Sequence, residues 1–182
     1  MKINNLRYLI DIIGKFKDLK RSGWVAKKVD DPESDAEHSF SVALLAILLM
    51  PNNLDEKKCL EMALVHDLAE VYCGDYTPHD NITNEEKTNQ ELMAIKRVAE
   101  ELNNEKLVSI FNEYLDKSSK ESIFINAIDK LDNVITAAYY DKNNRSTVKV
   151  KKEFADYARQ KIDELGNEDL LQDIKDILRQ IV

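Results

Sequence analysis

His66 and Asp67 interrupt an otherwise apolar run, Ala63-Leu64-Val65-His66-Asp67-Leu68-Ala69. Burial there strands a charge unless something compensates it, and a bound cation is one such compensation. A neutral core histidine, hydrogen-bonded beside a helix-end carboxylate, is the alternative. His38 follows Glu37 in the first turn of an expected helix, so it points from a helix end and not from a solvated mid-face. Further along, Asp129, Asp132, Asn133 and Thr136 recur at i, i+3, i+4 and i+7 beside an apolar stripe. A fully solvated stripe also explains that set. Two imidazoles and two carboxylates drawn from three helices make a mixed N/O donor set without thiolate. Such a set disfavours structural zinc and suits Mn, Fe, Co, Ni, Mg or catalytic Zn. Four protein ligands in an octahedral shell leave two positions, for a water and a substrate oxygen. The ion would then acidify the water and neutralise a phosphate. Glu70 lies three residues after Asp67, and Asp75 stands just beyond Gly74, so both carboxylates can reach the same pocket. An unliganded carboxylate beside an open metal position can take a proton from water or give one to a leaving alkoxide.

The elements that hold these residues read as helices. Leu6, Leu9, Ile10, Ile13 and Phe16 form one apolar stripe on a helix over 4–17. Residues 18–33 break the period at Gly23 and Pro32 and are expected to run irregularly over the surface, carrying Arg21 and Trp24. Ser34 and Glu37 have the capping-box spacing, which predicts a helix over about 35–50 that Pro51 ends. A third helix is expected from Asn53 or Asp55 to about Tyr72, followed by a polar loop over 73–84. Thr83 and Glu86 predict another capped helix to about 102, burying Leu92, Ile95, Ala99 and Leu102. A short helix over 105–117 follows. Ser118 with Glu121 is expected to cap a long one, with Phe124, Ala127, Ile128, Leu131, Ile135 and Ala138 inside. Helices over about 147–165 and 168–181 close the chain around Gly166, a natural helix-ending residue. The fold expected is all-α, about eight helices in one domain over 1–182. Its metal-binding core spans about 34–140, with the C-terminal helices packed on it.

Composition narrows the function. The chain has 182 residues, 34 Asp and Glu against 26 Lys and Arg, and a net charge of −8. That balance, with no basic stripe, argues against nucleic acid and anionic membranes as partners. An anionic substrate must therefore be met by a local charge. Four glycines and three prolines fall far below the roughly 12% of average usage, which disfavours a turn-rich β architecture. The apolar run Ala43 to Met50 is short of the ~20 residues of a membrane span, and Asp11 interrupts the N-terminal apolar stretch. Cys59 and Cys73 lack a CxxC spacing, which fits a reducing compartment, so the cytoplasm is the expected location.

His38, then the adjacent pair His66-Asp67, then Asp129, in this order and on helices, resembles the HD-domain metal-dependent phosphohydrolase superfamily. Glu37-His38-Ser39 followed by HDLAEVYCGDYTPHDNITNEEK over 66–87 is similar to its 5′-deoxynucleotidase branch, including proteins like HD-domain-containing protein 2. Leu19-Lys20-Arg21-Ser22-Gly23-Trp24 resembles that branch's Arg/Trp segment, so the likeness spans nearly the whole chain. It implies that His38, His66, Asp67 and Asp129 bind one divalent metal and that Glu70 activates water. Asp75 would assist proton transfer or orient the nucleotide. It further implies that Arg21 grips the phosphate and that Trp24 packs on the sugar, helping to reject a ribose 2′-hydroxyl. Bacterial members have the Arg and Trp adjacent, whereas Ser22 and Gly23 separate them here. The activity implied is hydrolysis of deoxyribonucleoside 5′-monophosphates by a homodimer. The surplus apolar positions Leu170, Leu171, Ile174, Ile177, Leu178 and Ile181 also fit dimerisation. A guanosine tetraphosphate hydrolase of the same superfamily is the enzymatic rival, but it carries Glu-Asp after the His-Asp, and here Val71 follows Glu70. A non-enzymatic, metal-stabilised helical module is the other rival, and it has no use for an unliganded Glu70. His79 reads as a surface-loop residue.

Overall fold

The computed structural model describes residues 6–77 and 80–181. His79, and the first two residues of the helix expected over 4–17, lie outside them. The chain runs through α1 (Leu6–Asp18), α2 (Ser22–Ala26), α3 (Asp35–Leu49), α4 (Glu56–Val65), α5 (Glu70–Cys73) and α6 (Asn84–Leu102). It continues through α7 (Lys106–Asp116), α8 (Lys120–Lys142), α9 (Lys151–Glu164) and α10 (Glu168–Ile181). The eight expected helices are all present, one of them divided, and α2 is added to them. Among the described residues the only β pairing is an isolated bridge between Lys20 and Ser34.

α8 is the axis. Twelve of its 23 residues are buried, too many for one face, because α3, α4, α7, α9 and α10 all pack against it. Phe124, Ile128 and Leu131 join Val42, Met62, Ile162 and Leu171 in one apolar cluster. Each fully buried side chain of this size contributes about 1.5–3 kcal/mol. On the crowded α8, Val134 and Ala137 are the fully buried positions, in place of the expected Ile135 and Ala138. A second cluster joins Ile12 and Phe16 of α1 to Val65, Val71, Ile95 and Phe111.

Several expectations change for physical reasons. The segment over 18–33 keeps to the surface as expected except at Trp24 and Val29, which are buried. The Lys20–Ser34 bridge closes it into a loop that drives Trp24 into a third cluster with Val29, Tyr140 and Val150. α1 buries Ile12 and Phe16 but leaves Leu6, Ile10 and Ile13 outward, because its neighbours cover only part of its apolar arc. α8 is capped by Ser119 with Ser122, one residue later than expected. Glu121 instead accepts from the Asp55 backbone N–H at 3.2 Å, at the start of α4. α9 starts at Lys151, where the Asp141 carboxylate accepts from the Val150 and Lys151 N–H groups at 3.0 and 3.1 Å. The apolar positions of α10 are used within the fold, packed into the main cluster.

The division of the expected third helix matters most for the site. The His66 imidazole donates Nδ1–H to the Ala63 carbonyl at 2.9 Å, occupying an acceptor that the helix would offer to Asp67. The tighter i→i−3 bonds Leu68 N–H to Val65 O and Glu70 N–H to Asp67 O replace the α pattern. The turn over 66–69 therefore sets His66, Asp67 and Glu70 around one cavity.

Candidate metal centre and cavity

Ser34 caps α3, its hydroxyl accepting from the Glu37 N–H at 3.2 Å while its own N–H donates to Glu37 Oε2 at 2.7 Å. This capping box fixes the helix start and carries His38, fully buried, inward. His38 donates Nδ1–H to Asp132 Oδ2 at 2.8 Å, as His66 does to Ala63. Both imidazoles thus turn Nε2 toward a common point, and the two Nε2 atoms lie 3.3 Å apart. Asp129 Oδ1 is 3.2 Å from His38 Nε2. Asp67 Oδ2 is 3.2 Å from His66 Nε2 and 3.6 Å from His38 Nε2.

These atoms fit a divalent ion. Bonds of about 2.0–2.2 Å place neighbouring ligand atoms roughly 3.0–3.6 Å apart. Each Nδ1 is committed to an acceptor, which leaves both Nε2 atoms to ligate an ion placed between them. Buried His38, His66 and Asp129 form a cluster able to hold a metal. The electrostatics agree. Burial opposes a charge on His38, and so does Arg21, yet Asp129 and Asp132 raise its pKa to about 10. Burial likewise opposes the Asp129 charge, but Lys130 and His38 hold that carboxyl well below its ordinary range. Asp67 is lowered too, with His66 and Arg21 outweighing burial. The centre attracts positive charge.

A cavity of about 750 Å³ opens onto this cluster, a size suited to a small-molecule ligand. His66, Asp67 and Asp129 line it, while His38 and Asp132 stand behind. Glu70 is 94% buried, and its Oε2 has no hydrogen-bond partner among the described residues. Burial, then Asp67, Asp75 and Asp35, push its carboxyl well above the ordinary range. Gly74 takes φ +82°, a conformation that favours glycine, and turns the chain to bring Asp75 alongside. Asp75 Oδ2 accepts from the Ser22 N–H at 2.6 Å, tying this loop to α2. Arg21, next to Ser22 in the chain, reaches in beside it, with Nη1 2.7 Å from Asp67 Oδ2 and Nη2 3.3 Å from Asn133 Oδ1.

The structure thus brings His38, His66, Asp67, Asp129, Glu70, Asp75 and Arg21 together. Trp24 also lines the cavity but is 99% buried, stacked on Phe154 at 4.1 Å and donating Nε1–H to Glu33 at 2.9 Å. It is a wall, held from behind. Sequence reasoning did not single out Asp35, fully buried beside Glu70 and Asp75, with both oxygens unpartnered by hydrogen bonds. An acid in the first turn of a helix looks like an ordinary dipole partner, so nothing marked it. Asp132 was visible only as part of a polar stripe, and its i+3 spacing from Asp129 was the available signal. Tyr114, whose hydroxyl donates to Asp129 Oδ2 at 3.1 Å, left no local signal.

An all-helical scaffold holding an imidazole and carboxylate centre at the floor of a cavity defines a metal-site helical domain of the hydrolytic kind. The HD domain family matches residues 13–169, and the chain belongs to it. Among its relatives, mouse 5′-deoxynucleotidase HDDC2 is 36% identical over 140 residues, covering 75% of this chain and 69% of that protein. The Dictyostelium discoideum 5′-deoxynucleotidase HDDC2 is 36% identical over 151 residues, covering 77% and 80%. Among solved structures, the PH0347 protein of Pyrococcus horikoshii matches with a TM-score of 0.82 and 28% identity, over 97% of this chain and 99% of that one.

Proposed function

We propose that this protein is a metal-dependent phosphohydrolase cleaving deoxyribonucleoside 5′-monophosphates to nucleoside and phosphate. The observation that carries the reading is the convergence of His38, His66, Asp67 and Asp129 ligand atoms beside the unpartnered Glu70 oxygen, at the floor of a nucleotide-sized cavity. The naming of relatives as 5′-deoxynucleotidases over three quarters of the chain supports the substrate class.

A divalent ion bound there, one of Mn, Co, Mg, Fe, Ni or Zn, supplies Lewis acidity and counter-charge. The protein supplies the rest. Glu70 takes the proton of the attacking water at a carboxylate oxygen, whose proton affinity is raised by burial and by Asp67, Asp75 and Asp35. Asp75, fixed by the Ser22 N–H, orients the nucleotide and assists protonation of the leaving 5′-oxygen. Arg21 offers its fork of donors to the phosphate. Trp24, locked between Phe154 and Tyr140, forms the wall against which the sugar packs and disfavours a 2′-hydroxyl. The same reading places the protein in the cytoplasm, consistent with two unpaired cysteines, and as a homodimer. The outward Phe40, Leu44, Ile47 and Leu48 of α3, together with Leu6 and Ile10 of α1, are the apolar surface available for that contact. Among the described residues no helix is long and apolar enough to cross a membrane.

The test is phosphate release from deoxynucleoside and nucleoside monophosphates with Mn, Co or Mg, before and after EDTA, and with Asp67→Ala. Deoxynucleotide hydrolysis lost to both treatments is the expected result. Activity that survives both overturns the reading.

A further inference from the structure

Lys130 follows a candidate metal ligand directly in sequence, yet its side chain reaches the cavity. Its Nζ lies 2.7 Å from Asp129 Oδ2, the oxygen turned away from His38, and its side chain is 28% exposed. An ammonium has three donors, and Asp129 is its one protein acceptor among the described residues. The remaining donors are free to meet a ligand. The other lysines of the cavity wall are committed elsewhere: Lys27 to Glu153 at 2.7 Å, Lys87 to Glu91 at 3.5 Å and Lys161 to Glu164 at 2.7 Å. Lys130 and Arg21 stand apart from these, since each contacts a carboxylate of the candidate centre, Asp129 and Asp67 respectively. One cation thus sits on each of two candidate ligand carboxylates.

A phosphoryl group in transfer spreads charge over three equatorial oxygens, and one cation and one arginine cannot cover all three equally. We propose that Lys130 is a substrate-binding residue that closes, with Arg21, a two-cation clamp on the non-bridging oxygens of a phosphate seated over Asp67 and Asp129. This rests on the phosphohydrolase reading above. It also explains how a chain of net charge −8 holds an anion beside several carboxylates. The competing role is purely positional, with Lys130 serving only to hold Asp129 in place.

Calorimetric titration of the Mn-loaded full-length protein with inorganic phosphate separates the two, using wild type, Lys130→Met and Lys130→Arg, with Mn affinity measured in parallel. Lys130→Met is expected to weaken phosphate binding at least about 10-fold and to raise KM for a deoxynucleoside monophosphate by a similar factor. Mn affinity should stay within about 3-fold, and Lys130→Arg should recover most of the loss. Unchanged phosphate affinity in folded Lys130→Met overturns the clamp, and so does Mn affinity falling in step with phosphate affinity. If Lys130→Met fails to fold, Lys130→Gln carries the same comparison, checked by its circular dichroism. Lys130-dependent phosphate binding in a wild type that hydrolyses no nucleotide supports the clamp and removes the nucleotidase reading.

Discussion

Two sets of polar groups gather at the cavity floor, and they are held differently. On one side His38 is tied to Asp132, His66 to the Ala63 carbonyl, and Asp129 to Tyr114, Lys130 and Asn133. On the other, Asp35, Glu70 and Asp75 gather three carboxyls, and three of their oxygens find no hydrogen-bond partner among the described residues. The tied side has fixed tautomers and fixed angles, which is what metal ligation needs. The loose side keeps Asp35 and Glu70 buried among like charges, which raises their proton affinity, as a proton-transfer group requires. Rigidity and proton affinity are thus assigned to two different clusters of one site.

Breaking the tied side gives the largest effect. His66→Ala is expected to lower phosphate release more than about 10³-fold and to abolish stoichiometric Mn binding, read by metal analysis after gel filtration. On the loose side, Glu70→Gln should cut kcat by about 10²–10⁴-fold while Mn content stays at the wild-type level. Loss of bound Mn in Glu70→Gln would mean that the division between the two clusters is wrong. Asp132→Asn leaves every candidate ligand in place but unsettles the His38 tautomer. Mn affinity should fall about 10–100-fold, measured by titration. Asp35 gives the smallest effect, and one on stability. Burial, then the Asp67 charge, raise its pKa to about 7 from an ordinary 3.8. The native state therefore keeps a proton that the unfolded chain gives up above pH 4. Stability is lost as pH rises from about 4 to 7, and that loss is complete above pH 7. Asp35→Asn removes the penalty, so it should stabilise more at pH 8 than at pH 5, by about 2 kcal/mol in urea unfolding. Equal gains at both pH values would show that Asp35 is ionised throughout.

What was legible in the sequence was whatever local chemistry writes into neighbouring residues. Ser34 with Glu37 and Thr83 with Glu86 marked helix starts because a capping box is a four-residue device. His66-Asp67 stood out because polar groups in an apolar run demand compensation. The end of α4 was hidden, since it follows from a His66 side-chain bond that only the folded turn makes. The cap of α8 shifted by one residue because two serines compete for the position and Glu121 is drawn away to Asp55. The burial of Trp24 was hidden for a similar reason. Its partners Tyr140 and Phe154 lie more than a hundred residues further along, and no periodicity in 18–33 reports them.

The candidate ligand atoms come from α3, the turn after α4, and α8, and the His38–Asp132 bond alone spans 94 residues of chain. An unfolded chain cannot present such a set, so ion binding selects the assembled state and adds its free energy to folding, by about RT ln(1 + [L]/Kd). Such an ion is then also a long-range staple, joining distant stretches of sequence as a disulfide would in an oxidising compartment. Its withdrawal would loosen the meeting of α3, α8 and the turn after α4 before it touched either helix.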